Sequence, residues 1–127
     1  PVLKNANTLS FSQIEKSIAD MVTKTKTKSL TIDDLTGGTF TITNGGVFGS
    51  MFSTPILNHP QVGILGMHTI KKKPVVIETK QGDTIGIRSM MFLSIGFDHR
   101  LVDGAGGAKF VETVQKNLEN MDLEHLF

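Results

Sequence analysis

An imidazole and a carboxylate stand four residues apart in the segment Asp98-His99-Arg100-Leu101-Val102-Asp103-Gly104. The pKa of an unperturbed histidine is about 6.5, so this side chain can take up and return a proton near neutral pH. His99 is therefore a candidate catalytic base. Alternatively, His99 caps a strand end and Asp103 supports a turn before Gly104. The spacing alone leaves both interpretations open.

The residues around His99 predict a strand before it and a turn after it. Residues 90–97 form an apolar run of strand length. Gly104, Gly106 and Gly107 follow, and glycine disfavours a helix that would continue through His99. His99 and Asp103 are therefore not expected to share one helical face, which disfavours a helical histidine–aspartate metal pair.

The rest of the chain predicts both helices and strands. An amphipathic helix is predicted over residues 10–26 with Ser10 as its N-cap, and a capping box at residues 31–34 predicts a short helical turn. A second long helix is predicted from about residue 106 to 121. A hairpin turn is predicted at residues 81–83, and strands at residues 39–43, 62–67, 74–78, 84–87 and 90–97. Together these elements predict an α/β (α+β) fold, a mixed sheet with helices packed on it.

A glycine-rich loop, residues 44–50, follows the strand that ends at Thr43. Its glycines allow backbone or ligand to approach closely. The loop lacks both the Gly-Lys-Ser/Thr ending of a P-loop and the spacing of a dinucleotide fingerprint. It is therefore a weak candidate for a nucleotide site.

Composition argues against several functional classes. A formal net charge of +1 gives no electrostatic argument for nucleic acid or membrane binding, and no apolar run reaches the roughly 18 residues of a membrane span. Without cysteine, the chain has no disulfide, thiolate zinc site or cysteine nucleophile. Its 127 residues suffice for one domain that buries about two thirds of its unfolded surface. We expect a soluble, intracellular protein and, because the first residue is Pro1, a fragment of a longer polypeptide.

Four blocks in one order carry a resemblance to a known family: residues 37–50, 53–58, 64–67 and 98–104. They resemble the catalytic domain of the dihydrolipoamide acyltransferases, the core components of 2-oxo acid dehydrogenase complexes. The resemblance spans nearly the whole chain, and residues 1–127 are expected to be the C-terminal portion of that catalytic domain. It implies a two-layer sandwich of mixed sheet and helices, similar to chloramphenicol acetyltransferase.

The family pattern His-x-x-x-Asp-Gly matches His99, Asp103 and Gly104, and the family's hydroxyl residue in the glycine-rich block matches Thr43. By this resemblance, His99 is the general base that removes the proton of the coenzyme A thiol. The thiolate then attacks an acyl-dihydrolipoamide thioester, and Thr43 stabilises the oxyanion. Asp103 either orients the imidazole or pairs with a cation such as Arg100 and holds the turn; the structural role is favoured.

The resemblance also implies partners. The family forms homotrimers, in which His99 of one subunit would face Thr43 of another, and the trimers assemble into cubic or dodecahedral cores. Coenzyme A is a substrate, the lipoyl group is carried on a separate domain of the parent chain, and no metal is required. The expected protein partners are the 2-oxo acid dehydrogenase and dihydrolipoamide dehydrogenase components, in the bacterial cytoplasm or the mitochondrial matrix.

The identity of the acyl group is less constrained. Residues 43–50 and 53–55 most resemble the succinyl-transferring branch, but no arginine follows Gly104 and Phe97 replaces that branch's usual tyrosine. Transfer of an acetyl or branched-chain acyl group therefore stays open. Two further alternatives are a free-standing acetyltransferase of the chloramphenicol type and a non-catalytic core or tethering subunit. Lys71-Lys72-Lys73 is interpreted as a solvated turn rather than as a surface for a lipoyl domain.

Overall fold

The computed structural model describes residues 1–122, which contain three α-helices and five strands. The chain divides into two compact units: Pro1–Thr39 together with the residues from Lys116 on, and Phe40–Gln115. Short 3-10 turns occupy Ala6–Thr8 and Gly46–Phe48. The helices and strands are α1 (Phe11–Lys26), α2 (Ile32–Leu35), β1 (Thr41–Asn44), β2 (Gly63–Met67), β3 (Lys71–Thr79), β4 (Gly82–Met90), β5 (Leu93–Phe97) and α3 (Gly104–Glu119).

The first unit holds α1 and α2, and both begin where the sequence predicts. Gln13 N donates to Ser10 Oγ at 3.3 Å, and Ser10 N donates to Gln13 Oε1 at 2.8 Å, so a capping box starts α1. Thr31 and Asp34 form the same box at α2. A hydrogen bond from Lys24 Nζ to Asp34 Oδ1 at 2.8 Å joins the last turn of α1 to α2. This bond holds the pKa of Asp34 well below its ordinary value.

The second unit is built on a three-stranded mixed sheet in the order β1-β2-β5. β1 runs parallel to β2, and β5 runs antiparallel to it. The register aligns Thr43, Gly66 and Ser94 across the three strands. Ile64 and Leu65 of β2 are buried, because an apolar strand with a neighbour on each side lies at the centre of the sheet.

Among the described residues, β3 and β4 pair only with each other and form an antiparallel hairpin. Thr79 pairs with Gly82, so the connecting loop is residues 80–81, slightly earlier than the predicted turn. Gly82 has a φ of 116°, a conformation that favours glycine. The two strands are longer than predicted and β5 is shorter, because Met90 still pairs with Lys71 before the chain enters β5.

The chain buries less of its surface than its length predicts. Its accessible surface is 10036 Å², whereas a self-contained protein of 13.8 kDa exposes about 6,600 Å² when folded and about 20,000 Å² when unfolded. Only about half of the unfolded surface is buried, and the expected two thirds is wrong. Large apolar side chains contribute to this excess: Phe48 is 91% exposed and Ile56 is 89% exposed. Side chains exposed in this way are available for contact with a partner.

We expect Ser10→Ala to lower the free energy of unfolding by about 1 kcal/mol, because the side chain that satisfies a free N–H at the start of α1 is lost. Urea unfolding followed by circular dichroism measures the change. Ser12→Ala is the matched control, since Ser12 is exposed in the first turn of the same helix and does not cap it. Alanine is expected to be neutral or slightly stabilising there. Equal losses in the two variants would contradict the capping role of Ser10.

Candidate active site

His99 lies in a turn between β5 and α3, and no helix passes through it, as the sequence predicts. Asp98 N donates to the Val62 carbonyl at 3.0 Å, which ties the start of the turn to the residue before β2. Leu101 N and Val102 N both donate to the Asp98 carbonyl at 3.0 Å and close the turn. His99 itself is exposed. A side chain that can exchange protons is thus open to solvent on an anchored stretch of backbone.

The His99 ring packs against the ring of Phe97, with centroids 5.5 Å apart and planes inclined at 47°. Phe97 also contacts Gly107 in the first turns of α3, where an added Cβ would overlap the phenyl ring. Only glycine fits at this position without displacing Phe97. The sequence offered Gly107 only as an argument against a helix through His99, and the structure shows that it also lets α3 approach the ring that packs against His99.

Asp103 is the N-cap of α3. Its Oδ1 accepts a hydrogen bond from Gly106 N at 2.7 Å, and its carbonyl accepts one from Gly107 N at 3.0 Å. Because of this cap, α3 begins at Gly104, slightly before the predicted start, despite the glycines of its first turn. Among residues 1–122, no hydrogen bond joins Asp103 to His99. The Asp103 carboxylate therefore fixes the end of the turn that contains His99.

Arg100 pairs with Asp98, and the suggested pairing of Arg100 with Asp103 is wrong. Arg100 Nε donates to Asp98 Oδ1 at 2.9 Å and Nη2 donates to Oδ2 at 2.6 Å. These hydrogen bonds lower the pKa of Asp98 to about 2. Asp98 and Arg100 meet across one residue of the turn, whereas the Asp103 carboxylate is engaged at the start of α3. A negative and a positive charge therefore flank the imidazole along the chain.

Thr43 is the third residue of β1 and is exposed. The glycine-rich loop that follows turns back onto the end of β2. Gly45 N donates to the Met67 carbonyl at 3.0 Å, and Gly46 N donates to Asn44 Oδ1 at 2.9 Å. Asn44 thus closes an Asx turn directly after Thr43. The loop fixes the backbone on the C-terminal side of the Thr43 hydroxyl.

Close backbone contact also holds the loop against the residues that follow β2. Thr69 Oγ1 donates to the Gly46 carbonyl at 3.0 Å. An added Cβ at Gly46 would lie 2.6 Å from the carbonyl carbon and oxygen of His68 and 2.8 Å from Thr69 N. Side chains other than hydrogen do not fit at such distances. Gly46 is therefore required by sterics, in agreement with the close approach that the sequence suggests.

His68 is a functional candidate that the sequence did not reveal. Its side chain is 2% exposed, and its Nε2 lies 3.0 Å from Ser94 Oγ. Its ring stacks on Phe52 with centroids 5.8 Å apart. Within residues 1–122, the Nδ1 atom has no hydrogen-bond partner. The only sequence signal was the position of a polar residue directly after the most apolar strand.

The structure places Thr43 and His99 of one chain at opposite ends of the sheet. Thr43 aligns with Ser94, and Phe97 lies three positions further along β5. At about 3.3 Å per residue and about 4.8 Å between strands, the Cα atoms of Thr43 and Phe97 are about 14 Å apart. His99 follows Phe97 at the far end of β5. One copy therefore brings together Asp98, His99, Arg100 and Asp103, but not Thr43.

Neither a metal cluster nor a membrane-spanning helix is found in residues 1–122. No three histidine, aspartate or glutamate side chains come close enough there to hold a metal ion. The helices described lack the combination of length and apolar character needed to cross a bilayer.

The model of the family "2-oxoacid dehydrogenases acyltransferase (catalytic domain)" matches residues 1–126. The chain belongs to this family. It is 51% identical over 120 residues to the dihydrolipoyllysine-residue succinyltransferase component of the 2-oxoglutarate dehydrogenase complex of Buchnera aphidicola. That similarity covers 94% of this chain and 28% of the relative. This chain thus spans little more than a quarter of that relative's length. Residues 123–127 of the expected domain lie outside the described part of the structure.

Solved structures of the family confirm the predicted α/β fold. Dihydrolipoamide acetyltransferase of Azotobacter vinelandii superposes with a TM-score of 0.87 at 33% identity, covering 95% of this chain and 48% of that one. The cubic core of a pyruvate dehydrogenase multienzyme complex gives 0.87 at 32% identity, with the same coverage. The A. vinelandii enzyme was investigated for the role of a serine, a histidine and an asparagine in catalysis. Its histidine and asparagine are four residues apart, the spacing of His99 and Asp103.

We expect Gly46→Ala to lower the free energy of unfolding by about 1–3 kcal/mol, because the methyl group would displace the backbone at His68 and Thr69. Gly45→Ala is the matched control: Gly45 has helical φ and ψ, and an added Cβ would lie 3.5 Å from its nearest neighbour, an ordinary contact. Chemical denaturation of both variants measures the difference. If Gly45→Ala proves as destabilising as Gly46→Ala, the steric explanation fails.

Proposed function

We propose that the protein transfers a succinyl group between dihydrolipoamide and coenzyme A within a 2-oxoglutarate dehydrogenase complex. The observation that carries this proposal is the exposed imidazole of His99 on a turn anchored to β2 and to α3. A histidine so placed is open to a substrate that approaches from solvent, as a general base must be. A non-catalytic tethering subunit would not need such a residue.

Sequence identity supports succinyl as the acyl group. The chain is 51% identical to a succinyltransferase component, but only 33% identical to the A. vinelandii acetyltransferase over a similar share of its length. Phe97, which departs from the tyrosine usual in the succinyl branch, packs against Gly107 and His99. The phenyl ring packs against the imidazole and the start of α3, and this packing does not require a hydroxyl group.

The mechanism needs a base, because a free thiol with a pKa of about 8.5 is only a few per cent thiolate at pH 7. The His99 imidazole takes the proton of the coenzyme A thiol, and the thiolate attacks the carbonyl carbon of the succinyl-dihydrolipoamide thioester. The Thr43 hydroxyl donates a hydrogen bond to the oxyanion of the tetrahedral intermediate. Collapse breaks the carbon–sulfur bond to dihydrolipoamide, and the imidazolium returns its proton to that sulfur. Coenzyme A and the lipoyl group are both substrates here.

Asp103 contributes to this site through the backbone. It caps α3 and so fixes the chain that leaves the turn containing His99. In the A. vinelandii enzyme an asparagine stands at the same spacing from the histidine. Asparagine and aspartate are about equally good N-caps, but only aspartate brings a negative charge. An asparagine in one protein and an aspartate in the other are expected if the residue at this position caps α3 and does not stabilise an imidazolium with its charge.

Two copies of the chain complete one site. Thr43 and His99 lie at opposite ends of the sheet in each copy, whereas the mechanism needs both groups at one thioester carbon. The large exposed apolar surface supports such a contact between copies. A homotrimer, with His99 of each subunit facing Thr43 of the next, meets this requirement three times. Trimers could then build a cubic or dodecahedral core that binds the 2-oxo acid dehydrogenase and dihydrolipoamide dehydrogenase components, in the bacterial cytoplasm or the mitochondrial matrix.

In the full-length acyltransferase, we expect His99→Ala to lower kcat by about 10²- to 10⁴-fold, because the general base is lost. Thr43→Val, which removes the hydroxyl but keeps the shape, is expected to lower kcat by about 10²- to 10³-fold. Steady-state transfer of succinyl to coenzyme A measures both effects. Thr84→Val, in the exposed strand β4, is the control for the loss of a hydroxyl from a strand. Full activity of His99→Ala would remove His99 from the mechanism.

A mixture of two inactive variants tests the shared site. When subunits carrying His99→Ala and Thr43→Val are co-refolded at equal amounts, about one quarter of the interfaces in a three-membered ring receive both native residues. We therefore expect about one quarter of the wild-type activity from the mixture. If each site belonged to one copy, the activity of the mixture would stay at the mean of the two variants.

A further inference from the structure

Asp98 precedes His99 in the sequence, Arg100 follows it, and the two side chains form an ion pair. The Asp98 carboxylate accepts a hydrogen bond from Arg100 N at 3.0 Å, which closes an Asx turn with His99 at its centre. Arg100 Nε donates to the two carboxylate oxygens at 2.9 and 3.2 Å, and Nη2 donates to Oδ2 at 2.6 Å. The guanidinium group and the carboxylate therefore form a bidentate ion pair across the backbone of His99.

The backbone groups of Asp98 are engaged as well. Its N–H donates to the Val62 carbonyl, and its own carbonyl accepts from Leu101 N and Val102 N, all at 3.0 Å. The Asp98 side chain is 19% exposed, whereas that of Arg100 is 83% exposed. Asp98 thus connects the residue before β2, the turn and Arg100, and Arg100 is the more exposed partner of the ion pair.

Few other contacts of the described residues fix the orientation of the imidazole. Among residues 1–122, its only ring contact is with Phe97, and the Asp103 carboxylate is engaged by the N-terminus of α3. The conformation of the turn must then set where the His99 side chain points. Within the turn, the Asp98 side chain holds this conformation through its hydrogen bonds from Arg100 N, Nε and Nη2.

We propose that Asp98, held by Arg100, is a positioning residue for His99, an inference that rests on the acyl-transfer function proposed above. A partly exposed ion pair contributes little to the free energy of unfolding, so its removal would leave kcat unchanged if the pair were merely structural. A positioning pair acts differently, because a small displacement of a base from its substrate is costly to the rate. Its loss lowers kcat but not the KM of either substrate, since the proposed role of Asp98 and Arg100 is to place His99 rather than to bind substrate.

The test is steady-state succinyl transfer by the full-length, assembled acyltransferase. Asp98→Asn keeps an oxygen for Arg100 N but removes the charge, and Arg100→Gln removes the guanidinium group. We expect each to lower kcat about tenfold, and Asp98→Ala, which also opens the Asx turn, to lower it about hundredfold, with the KM for coenzyme A within about twofold. The matched control is Asp33→Asn, which removes an exposed carboxylate paired with Lys4 at 2.6 Å; it should keep the wild-type kcat.

A charge exchange separates geometry from charge. Asp98→Arg combined with Arg100→Asp restores opposite charges but not the Asx turn, and we expect no recovery of kcat. Recovery would overturn the proposal, as would a wild-type kcat in Asp98→Asn or a rise in KM at constant kcat. Melting temperature and sedimentation of each variant are measured in parallel. A fall in kcat that merely follows a fall in melting temperature across the series, Asp33→Asn included, also counts against positioning.

His99→Ala in the same assay distinguishes a failure of the positioning role from a failure of the acyl-transfer function. If His99→Ala is inactive and Asp98→Asn is fully active, the positioning role is wrong and the acyl-transfer function stands. If His99→Ala is active, His99 is not the base and Asp98 has no catalytic group to position. If His99→Ala is inactive and Asp98→Asn shows the tenfold loss in kcat alone, both inferences are supported.

Discussion

Strand β2 pairs with a parallel neighbour on one side and an antiparallel neighbour on the other, and these two pairings fix where the candidate groups lie. β1 ends where β2 ends, so Thr43 and the glycine-rich loop lie at that end of the sheet. β5 runs the other way and delivers His99 to the opposite end. The separation follows from strand direction alone, and no side-chain rearrangement within one copy can remove it. If Thr43 and His99 act on one thioester, as proposed, a second copy must complete the site.

Glycine makes both ends of this arrangement possible. Gly46 lets the loop after Thr43 lie against the backbone at His68, and Gly107 lets α3 lie against Phe97. In each case the neighbour is a group that cannot move easily, either backbone or a packed aromatic ring. The polar contacts then act on a backbone that sterics have already placed: Asn44 closes the loop after Thr43, and Asp98 closes the turn around His99.

Features that depend on neighbours in sequence could be predicted, and those that depend on distant contacts could not. The N-cap at Ser10 and the capping box at Thr31 depend on residues close in sequence, and the structure contains both. The partner of Arg100 depended instead on which carboxylate the start of α3 would engage. The burial of His68 depended on strand pairing, which periodicity does not specify. The overestimate of buried surface arose because the relation between mass and surface assumes a self-contained domain.

The β3–β4 hairpin also bears on aggregation. It has nine residues in each strand, and within residues 1–122 both outer edges are unpaired. Long free edges invite pairing with strands of other molecules. β3 carries three consecutive lysines followed by Pro74, and these are the residues that discourage such pairing, by charge and by the lack of an N–H. The prediction of a solvated turn at the three lysines is therefore wrong: they belong to β3, where their charges disfavour pairing of this long hairpin with foreign chains.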